Sequence, residues 1–263
     1  MYFRVILLVA CFVLAPQTAA ADTGLLWLIN RDNPVDADFM PQNLVEYKGV
    51  RLHSTARSAF VEMITAMETD GITGVCLQSA YRPYSHQRAI FDQRVKELMA
   101  KGNNKNEAEQ IASESIQPPG ASEHQTGLAL DVSINGQLTK SFADTKAGRW
   151  LDANSHSHGF IIRYPKHKTA ITNITFEPWH LRYVGTPHAS IMKNMNLTLE
   201  EYWKYLAQVQ TFIQWGAYGN YQLITYSHAP PDSIFCELTN ISSYAPMCAG
   251  GYIIVVDKVY PQI

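Results

Sequence analysis

The sequence predicts an α+β domain in which helices flank a small, mostly antiparallel sheet. Predicted helices and short strands are interspersed along the chain, and the repeating strand-helix-strand order of a parallel sheet is absent. A chain of 263 residues with 46% hydrophobic content is large enough to bury one full core. After Gln210 the composition changes to aromatic, β-prone stretches with turns at Pro230-Pro231 and Gly250-Gly251. We therefore expect a β-rich C-terminal appendage over residues 211–263.

The clearest helix is predicted over residues 55–68. Its apolar residues recur at the spacing of one buried helical face, and they are Ala56, Phe60, Met63, Ile64 and Met67. Gly71 and Gly74 end this helix and lead into a strand over residues 75–81. The same patterns predict further helices over residues 85–101, 105–115, 147–158, 189–195 and 199–208, and further strands over residues 129–134, 160–164 and 179–184.

Four local expectations accompany these elements. Residues 22–53 are predicted to form an extended arm that wraps the domain. The second helix is expected to bury its apolar residues, which are Phe91, Val95, Leu98 and Met99. The third helix, over residues 105–115, is largely polar and is expected to lie on the surface. Asn135-Gly136 is typical of a hairpin turn.

The N-terminus has the three parts of a secretory signal peptide. Met1–Arg4 carries a positive charge, Val5–Ala15 is an apolar run of 11 residues, and small residues offer a cleavage site after Ala20 or Ala21. The apolar run is short for a membrane-spanning helix. Cys11 follows Leu8-Val9-Ala10 as in a lipoprotein signal, but it stands unusually early. We expect residues 1–21 to be removed and the protein to be exported to the periplasm or the cell-wall face, with no stable membrane insertion.

Export changes how the cysteines are interpreted, because disulfides persist in oxidising compartments. Cys236 and Cys248 lie close together in a polar, turn-rich tail, and we expect them to form a disulfide. Cys76 lies in the apolar run Gly74-Val75-Cys76-Leu77 and is expected to be a buried free thiol. A thiolate zinc site is not expected, because the chain has no Cys-x-x-Cys spacing.

The charge of the chain excludes one broad class of partner. The formal net charge is −2 and the sequence pI is about 6.5. Nucleic-acid-binding domains are typically strongly basic. We therefore expect no nucleic-acid partner.

Two separate segments carry residues that together suit a catalytic zinc site. Such a site needs three nitrogen or oxygen ligands and one open position. His124 and Asp131 stand seven residues apart on a loop that leads into a predicted strand, and Gly127 between them allows the chain to turn. His180 supplies a third ligand, and Glu177 precedes it closely enough to act as general base.

The segment Glu177-Pro178-Trp179-His180 cannot be regular if both end residues serve one metal. Proline disfavours helical geometry at the residue before it. On a regular strand, residues i and i+3 point to opposite faces. We therefore predict a bulge or turn at the start of the strand that continues as Leu181-Arg182-Tyr183-Val184.

Structural roles are the alternative for each of these residues. A single histidine is more often hydrogen-bonded or exposed than metal-binding, Asp131 could cap a strand, and Glu177 could be a solvated carboxylate. The remaining histidines are assigned no chemical role, and they are His53, His86, His156, His158, His167, His188 and His228.

The ordered motifs resemble those of the VanY-type zinc D-alanyl-D-alanine carboxypeptidases. Ser122-x-His124-x-x-Gly127-x-Ala129-x-Asp131 is followed by Glu177-x-Trp179-His180. The resemblance extends through residues 79–82, 159–165 and 180–185 and covers about residues 40–205. It implies the fold shared by the D,D-peptidases and the Hedgehog signalling domain. It says nothing about the tail beyond residue 210.

The resemblance also implies a role for each matching residue. His124, Asp131 and His180 take the positions of the zinc ligands, with one zinc per chain, and Glu177 takes the position of the base. Arg82 matches the arginine that steadies the scissile carbonyl or the terminal carboxylate, although a structural salt bridge is its alternative. The remaining candidate substrate contacts are Ser122, Gln87, Tyr81 and Trp179. Trp179 could equally be a core residue.

The resulting expectation is an exported zinc carboxypeptidase, with residues 22–210 as its catalytic domain. Its partners would be peptidoglycan stem peptides that end in D-alanine. Two related activities on the same scaffold are alternatives, an L,D-carboxypeptidase and a peptidoglycan endopeptidase. A zinc-bearing binding module without hydrolytic activity is the alternative from another class.

Overall fold

The structure is a computed structural model that describes residues 25–186, 188–209, 211–215, 221–227, 241–247 and 251–258. The strands within these residues are β1 (Leu44–Tyr47), β2 (Val50–His53), β3 (Val75–Ser79), β4 (Ala129–Ile134), β5 (Phe160–Tyr164), β6 (Glu177–Tyr183), β7 (Thr211–Trp215), β8 (Tyr221–Ser227), β9 (Ile241–Met247) and β10 (Gly251–Lys258). The helices are α1 (Ser54–Thr69), α2 (Tyr84–Ala100), α3 (Lys105–Ser113), α4 (Lys146–Asn154), α5 (Thr169–Thr172), α6 (His188–Asn194) and α7 (Leu199–Val209). Among them, no helix is both long enough and apolar enough to cross a bilayer.

The predicted α+β class is confirmed. Strands β3 to β6 form a four-stranded sheet in the order β3-β4-β6-β5, and every neighbouring pair is antiparallel. The predicted bounds of β4 and β5 are those of the structure. Each sheet strand contributes apolar side chains to one core, in which Leu130, Val132, Phe160 and Leu181 are fully or almost fully buried.

Helix α1 packs its predicted face against this sheet core. Ala56, Phe60, Met63 and Met67 are at most 1% exposed, and Ile64 packs against them while partly buried. Burial of a large apolar side chain stabilises the fold by roughly 1.5–3 kcal/mol. The methionines of α1 are therefore core residues, as the spacing predicted.

Helix α2 presents a different face from the one predicted at its C-terminal end. Phe91, Val95 and Leu98 are buried as expected, but Met99 is 44% exposed. Helix α3 is not simply a surface helix, because Ala108 and Ala112 are fully buried in the cluster that α2 and α3 share. The small alanine side chains allow the two helices to approach, and the polar residues of α3 lie on its other side.

Two turns differ from their predictions. The predicted arm over residues 22–53 contains a hairpin instead, in which β1 pairs with β2 through Lys48 and Gly49, both with positive φ. Asn135 and Gly136 also have positive φ, as in a hairpin turn, yet β4 pairs with β3 and β6. A 3₁₀ turn over Lys140–Asp144 follows them, so no hairpin partner follows.

Cys76 is a free thiol, but the prediction that it is buried is wrong. Successive residues of a strand point to opposite faces. Val75 and Leu77 pack against the sheet core, so Cys76 between them points away from it and is exposed. Strand β3 lies at the edge of its sheet, with β4 as its neighbour.

The region beyond residue 210 is β-rich where it is described, as predicted. Strands β7 to β10 form an antiparallel sheet in the order β7-β8-β10-β9. Three predictions lie outside the described residues: the signal peptide over residues 1–21, the Cys236–Cys248 disulfide and the Pro230-Pro231 turn. The domain boundary at residue 210 stays a prediction.

Candidate active site

The pairing of β4 with β6 brings two of the predicted metal ligands together. Asp131 and His180 are direct partners in this antiparallel ladder, so their side chains leave the sheet on the same face. His180 Nδ1 lies 3.2 Å from Asp131 Oδ1. Both side chains are buried, at 5% exposure each.

An irregularity in β3 places a hydroxyl against Asp131. The register of β3 on β4 shifts by one residue between Leu77 and Ser79, so that Ser79 is the partner of Asp131. Ser79 Oγ then donates a 2.6 Å hydrogen bond to Asp131 Oδ2. Because a hydrogen-bonded carboxylate has a fixed orientation, Ser79 directs the other oxygen, Oδ1, toward His180.

His124 reaches the same point from a tight loop. The loop turns at Gly127, whose φ is 73° and where a Cβ atom would lie 2.8 Å from the Leu44 side chain. The ring Nδ1 of His124 lies 2.6 Å from the Ala80 carbonyl oxygen, which can only accept a hydrogen bond. Nδ1 therefore carries the proton, which leaves the unprotonated Nε2, 3.2 Å from Asp131 Oδ2, available to a metal ion.

The three predicted ligands fit a single zinc ion. One ligand atom from each of His124, Asp131 and His180 lies within 4.8 Å of the other two. Tetrahedral zinc with ligands at about 2.0–2.2 Å separates neighbouring ligand atoms by about 3.3 Å, and each histidine nitrogen lies 3.2 Å from one of the two oxygens of Asp131. Asp131 Oδ1 makes no well-formed hydrogen bond within the described part of the chain. A shared cation would satisfy that buried oxygen.

The electrostatics of the three residues also suit a metal. Burial opposes ionisation of Asp131, yet His124 and His180 hold its pKa well below the usual range. Burial lowers the pKa of His124, which favours the neutral ring that metal binding requires. Burial lowers the pKa of His180, but the nearby carboxylates of Asp131, Glu177 and Glu123 together raise it above its usual value.

Glu177 lies beside the three ligands because β6 begins irregularly, as predicted. The register of β5 on β6 shifts between Ile162 and Tyr164, so that Tyr164 is the partner of Glu177. Glu177 Oε2 consequently lies 3.6 Å from His180 Nδ1, although the two residues are three apart on a strand. Burial raises the pKa of Glu177 to about 7, with Asp131 adding to the effect and His180 opposing it.

Arg82 also lies beside the ligand group. Its Nη2 lies 3.6 Å from Asp131 Oδ2 and donates to Ser79 Oγ at 3.3 Å. Its Nη1 donates to Gln87 Oε1 at 2.8 Å, and Gln87 Nε2 donates in turn to the Gln117 carbonyl oxygen at 2.5 Å. Gln87 is only 1% exposed. In the structure Gln87 holds the guanidinium and also lines the cavity, and its contact with substrate stays a prediction.

These residues line one cavity of about 240 Å³. Its walls also include two of the other predicted substrate contacts, Ser122 and Trp179. Tyr81 is not among the lining residues, and its hydroxyl lies 3.3 Å from Met40 Sδ. The complete lining is Arg82, Gln87, Ile90, Ser115, Ile116, Gln117, Ser122, His124, Asp131, Leu138, Tyr164, Ile174, Glu177, Trp179 and His180.

Sequence reasoning missed three contributors to the site. Ser79 and Tyr164 lie within the matching motifs but were assigned no role, and Gln117 lies outside them. The Tyr164 ring packs 4.9 Å from the His180 ring. Gln117 directly precedes Pro118 in a loop. Polar residues are common beside loop prolines, so its sequence position gave no sign of a role in the site.

A second group of charged residues lies directly behind the ligand loop. Arg163 donates from Nε to Glu123 Oε1 at 2.8 Å and binds both carboxylate oxygens of Glu200, at 3.0 and 2.7 Å. Arg182 Nη1 also lies 2.8 Å from Glu123 Oε1. Burial opposes these charges, but Glu123 and Glu200 hold the pKa of Arg163 well above its usual range. We call these four residues the closed charge cluster.

A comparison with protein families identifies the region that contains the site. Residues 49–186 match the sequence profile of VanY, the D-alanyl-D-alanine carboxypeptidase family. The chain is also 37% identical over 177 residues to the D-alanyl-D-alanine carboxypeptidase of Enterococcus faecalis. This alignment covers 67% of the present chain and 65% of that enzyme.

Solved structures with the same fold support this relation. A vancomycin-resistance D,D-pentapeptidase, VanY from a VanB-type cassette, is 38% identical and was solved with Zn(II), with a TM-score of 0.61 and coverage of 68% of this chain and 98% of that one. The structure of VanYB with D-alanine-D-alanine has a TM-score of 0.62, 38% identity and coverage of 68% and 97%. The LD-carboxypeptidase LdcB has a TM-score of 0.61, 36% identity and coverage of 68% and 86%.

Proposed function

Because this chain belongs to the VanY family of D-alanyl-D-alanine carboxypeptidases, we propose that it is an exported zinc peptidase that removes the C-terminal D-alanine from peptidoglycan stem peptides. One observation carries the proposal. His124, Asp131 and His180 converge within one cavity, and Glu177 and Arg82 lie beside them in the same cavity. These are the parts that hydrolysis of a C-terminal peptide bond requires.

The metal would be held by His124 Nε2, one oxygen of Asp131 and His180 Nδ1. When bound, it supplies a Lewis acid that activates water and polarises the scissile carbonyl. Two histidines and one carboxylate are ligands that suit zinc. One zinc per chain is expected, because the described residues contain one group of this kind.

Glu177 is the residue that moves the proton. It accepts a proton from the attacking water as the water oxygen bonds to the carbonyl carbon. As the C–N bond breaks, Glu177 returns that proton to the nitrogen of the departing D-alanine. Its position 3.6 Å from His180 Nδ1 places it beside the ligands without removing it from the cavity.

Arg82 binds the end of the substrate. A guanidinium presents parallel N–H donors that match a planar carboxylate. The hydrogen bonds to Gln87 and Ser79 fix its side chain before substrate arrives. A carboxypeptidase requires such a group, because it must distinguish a free chain end from an internal peptide bond.

An L,D-carboxypeptidase is the second candidate, and the similarity to LdcB favours it. That activity would use the same metal ligands and the same base on a stem peptide one residue shorter. A peptidoglycan endopeptidase would require a cavity that accepts chain on both sides of the cut bond. A binding module without activity is disfavoured by Glu177, since zinc binding alone needs no buried carboxylate beside the ligands.

Mass analysis of digested stem peptides separates these candidates. The purified chain would be incubated with a pentapeptide ending in D-Ala-D-Ala and with the corresponding tetrapeptide, with and without a chelator. We expect loss of one alanine from the pentapeptide only, and no product after chelation. Cleavage of the tetrapeptide alone would establish the L,D activity, and chelator-resistant cleavage would refute the zinc mechanism.

Export is part of the proposal and is tested separately. The signal pattern of residues 1–21 supports it. Fractionation of expressing cells, with intact mass measurement of the exported protein, should give a mature chain that begins at residue 21 or 22. Retention of the full-length chain in the cytoplasm would contradict export without affecting the peptidase activity.

A further inference from the structure

One polar group in the cavity has no task in the mechanism above. The Gln117 side chain is 7% exposed and lines the cavity with Glu177 and Arg82. Its Oε1 is buried and has no hydrogen-bond partner within the described residues. An unpaired buried amide oxygen is unfavourable, so a group that pairs with it on binding gains affinity.

The position of Gln117 is fixed from two sides. Its main-chain oxygen accepts the 2.5 Å hydrogen bond from Gln87, which holds Arg82. Its side-chain amide lies beside the Tyr164 hydroxyl, where hydrogen bonding lowers a pKa that burial raises more strongly. Tyr164 in turn packs against His180. Gln117 therefore contacts one residue that holds the guanidinium and lies beside one that packs on a ligand, so its orientation is restrained.

The chemistry of the substrate end leaves one donor for Gln117 Oε1. This step rests on the proposed function. A peptide ending in D-Ala-D-Ala presents its terminal carboxylate to Arg82, and its scissile nitrogen must face Glu177 to receive a proton. The amide N–H of the penultimate alanine is the remaining donor near the cut bond, and a neutral amide oxygen is a suitable acceptor for it.

We propose that Gln117 is a specificity-determining residue whose Oε1 accepts a hydrogen bond from the amide N–H of the penultimate substrate residue. The scissile carbonyl belongs to the same penultimate residue. A hydrogen bond to the amide nitrogen of that residue therefore helps to position the carbonyl.

A substitution in the substrate tests the contact directly. The amide that links the penultimate alanine to the residue before it is replaced by an ester, which removes the N–H and leaves the scissile bond unchanged. For the unmodified protein we expect kcat/KM for release of D-alanine to fall about 10-fold on the ester substrate. For Gln117→Met, which keeps the side-chain volume and removes the acceptor, we expect the two substrates to be hydrolysed at similar rates.

Matched controls separate this contact from a general loss of structure. Gln110→Met makes the same change at an exposed position of α3 and should keep the 10-fold discrimination. Dissociation constants measured on the Glu177→Ala background repeat the comparison without turnover. Thermal unfolding of Gln117→Met checks that the variant is folded.

Each outcome decides the inference. Loss of discrimination in Gln117→Met alone supports it, whereas equal discrimination in the unmodified protein and in Gln117→Met overturns it. An unmodified protein that does not discriminate also overturns it, even if it releases D-alanine normally. Absence of D-alanine release from both substrates would refute the proposed function itself, and the inference with it.

Discussion

Two groups of buried charges lie back to back in this fold, and they differ in whether their charges are matched. In the closed charge cluster, two guanidinium groups meet two carboxylates, and Arg163 binds Glu200 through two parallel hydrogen bonds. In the metal group, Asp131 and Glu177 face Arg82 as the one nearby guanidinium among the described residues, and Asp131 Oδ1 lacks a good partner. The charges of the first group balance, whereas the second has one carboxylate more than its guanidinium offsets, and a bound cation would balance it.

The two groups share chain segments, so one supports the other. Glu123 directly precedes His124, and Arg182 follows His180 by two residues. The ion pairs of Glu123 hold both segments from behind, while their neighbouring side chains face the cavity. The comparison indicates that stability is concentrated in the closed charge cluster and chemistry in the metal group.

The largest effect is expected from Glu177→Gln. This variant keeps the shape of the side chain but cannot accept the proton, and general-base catalysis contributes about 10²–10⁴-fold. We expect kcat for the pentapeptide to fall about 10³-fold. Zinc content and thermal stability should not fall.

Enzyme assays with parallel metal analysis check this expectation. Glu109→Gln, an exposed carboxamide substitution on α3, is the control and should keep full activity. A Glu177→Gln variant that loses zinc along with activity would show that the carboxylate has a structural role.

The next largest effect is expected from Arg163→Met in the closed charge cluster. It leaves two buried carboxylates without their main partner, and removing one member of a buried pair destabilises proteins by about 3–5 kcal/mol. We expect a loss of this size in urea unfolding. The additional change Glu200→Leu should restore part of it, because it removes one of the unpaired charges.

Arg94→Met provides the contrast. Arg94 lies 3.3 Å from Glu97 on the surface of α2, where ion pairs contribute little. If Arg163→Met were no more destabilising than Arg94→Met, the closed charge cluster would not be the stabilising group that the comparison assigns.

A smaller effect concerns a buried group that has no charged partner among the residues that the structure describes. His188 pairs its Nδ1 with the Tyr202 hydroxyl at 2.8 Å, and burial lowers its pKa to about 4. Because the unfolded chain has a histidine pKa of about 6.5, it takes up the proton more readily than the folded chain does below that pH. His188 therefore makes its full contribution to the free energy of unfolding above about pH 6.5, and this contribution is lost as the pH falls toward 4.

Urea unfolding at two pH values isolates this contribution. Between pH 7.5 and pH 5 the loss due to His188 should be about 2 kcal/mol. His188→Gln, which keeps a hydrogen-bonding side chain but does not titrate, should show a correspondingly weaker pH dependence. If the two proteins showed the same pH dependence, protonation of His188 would not lower the free energy of unfolding, and the prediction would be wrong.

The smallest effect is expected from Ser79→Ala. The variant removes the 2.6 Å hydrogen bond to Asp131, and loss of such an orienting contact typically lowers metal affinity by about 10–100-fold. Competition with a coloured chelator would measure the change. Ser58→Ala, an exposed substitution on α1, is the control, and equal zinc affinity in both variants would remove Ser79 from the account of the site.

Local sequence patterns predicted the secondary structure and the metal-binding and catalytic residues of the site. They did not predict the residues that hold these side chains in place. The helical spacing of α1 and the bounds of β4 and β5 follow from periodicity, and the irregular start of β6 follows from Pro178 and the need to bring Glu177 to His180. The exposure of Met99 and Cys76 depends on how each element is rotated against its neighbours, which its own residues do not specify.

Contacts between distant segments explain the rest. Arg163 and Glu200 are 37 residues apart, and Ser79 and Asp131 are 52 apart. A buried arginine has the same local pattern as an exposed one, so sequence periodicity cannot reveal its partner. The motif resemblance gave the order of the ligands, whereas the register of β3 on β4 places the Ser79 hydroxyl against Asp131.

The irregular start of β6 makes the site sensitive to chain length. Between the pairs formed by Leu181 and by Glu177, β6 advances four residues while β5 advances two. Deleting a residue there would reverse the side-chain alternation of everything before it. We therefore expect insertions and deletions in this segment to disrupt the site, whereas substitutions at Pro178 or Trp179 keep its length. Directed evolution of new specificity should therefore diversify the cavity walls at fixed length.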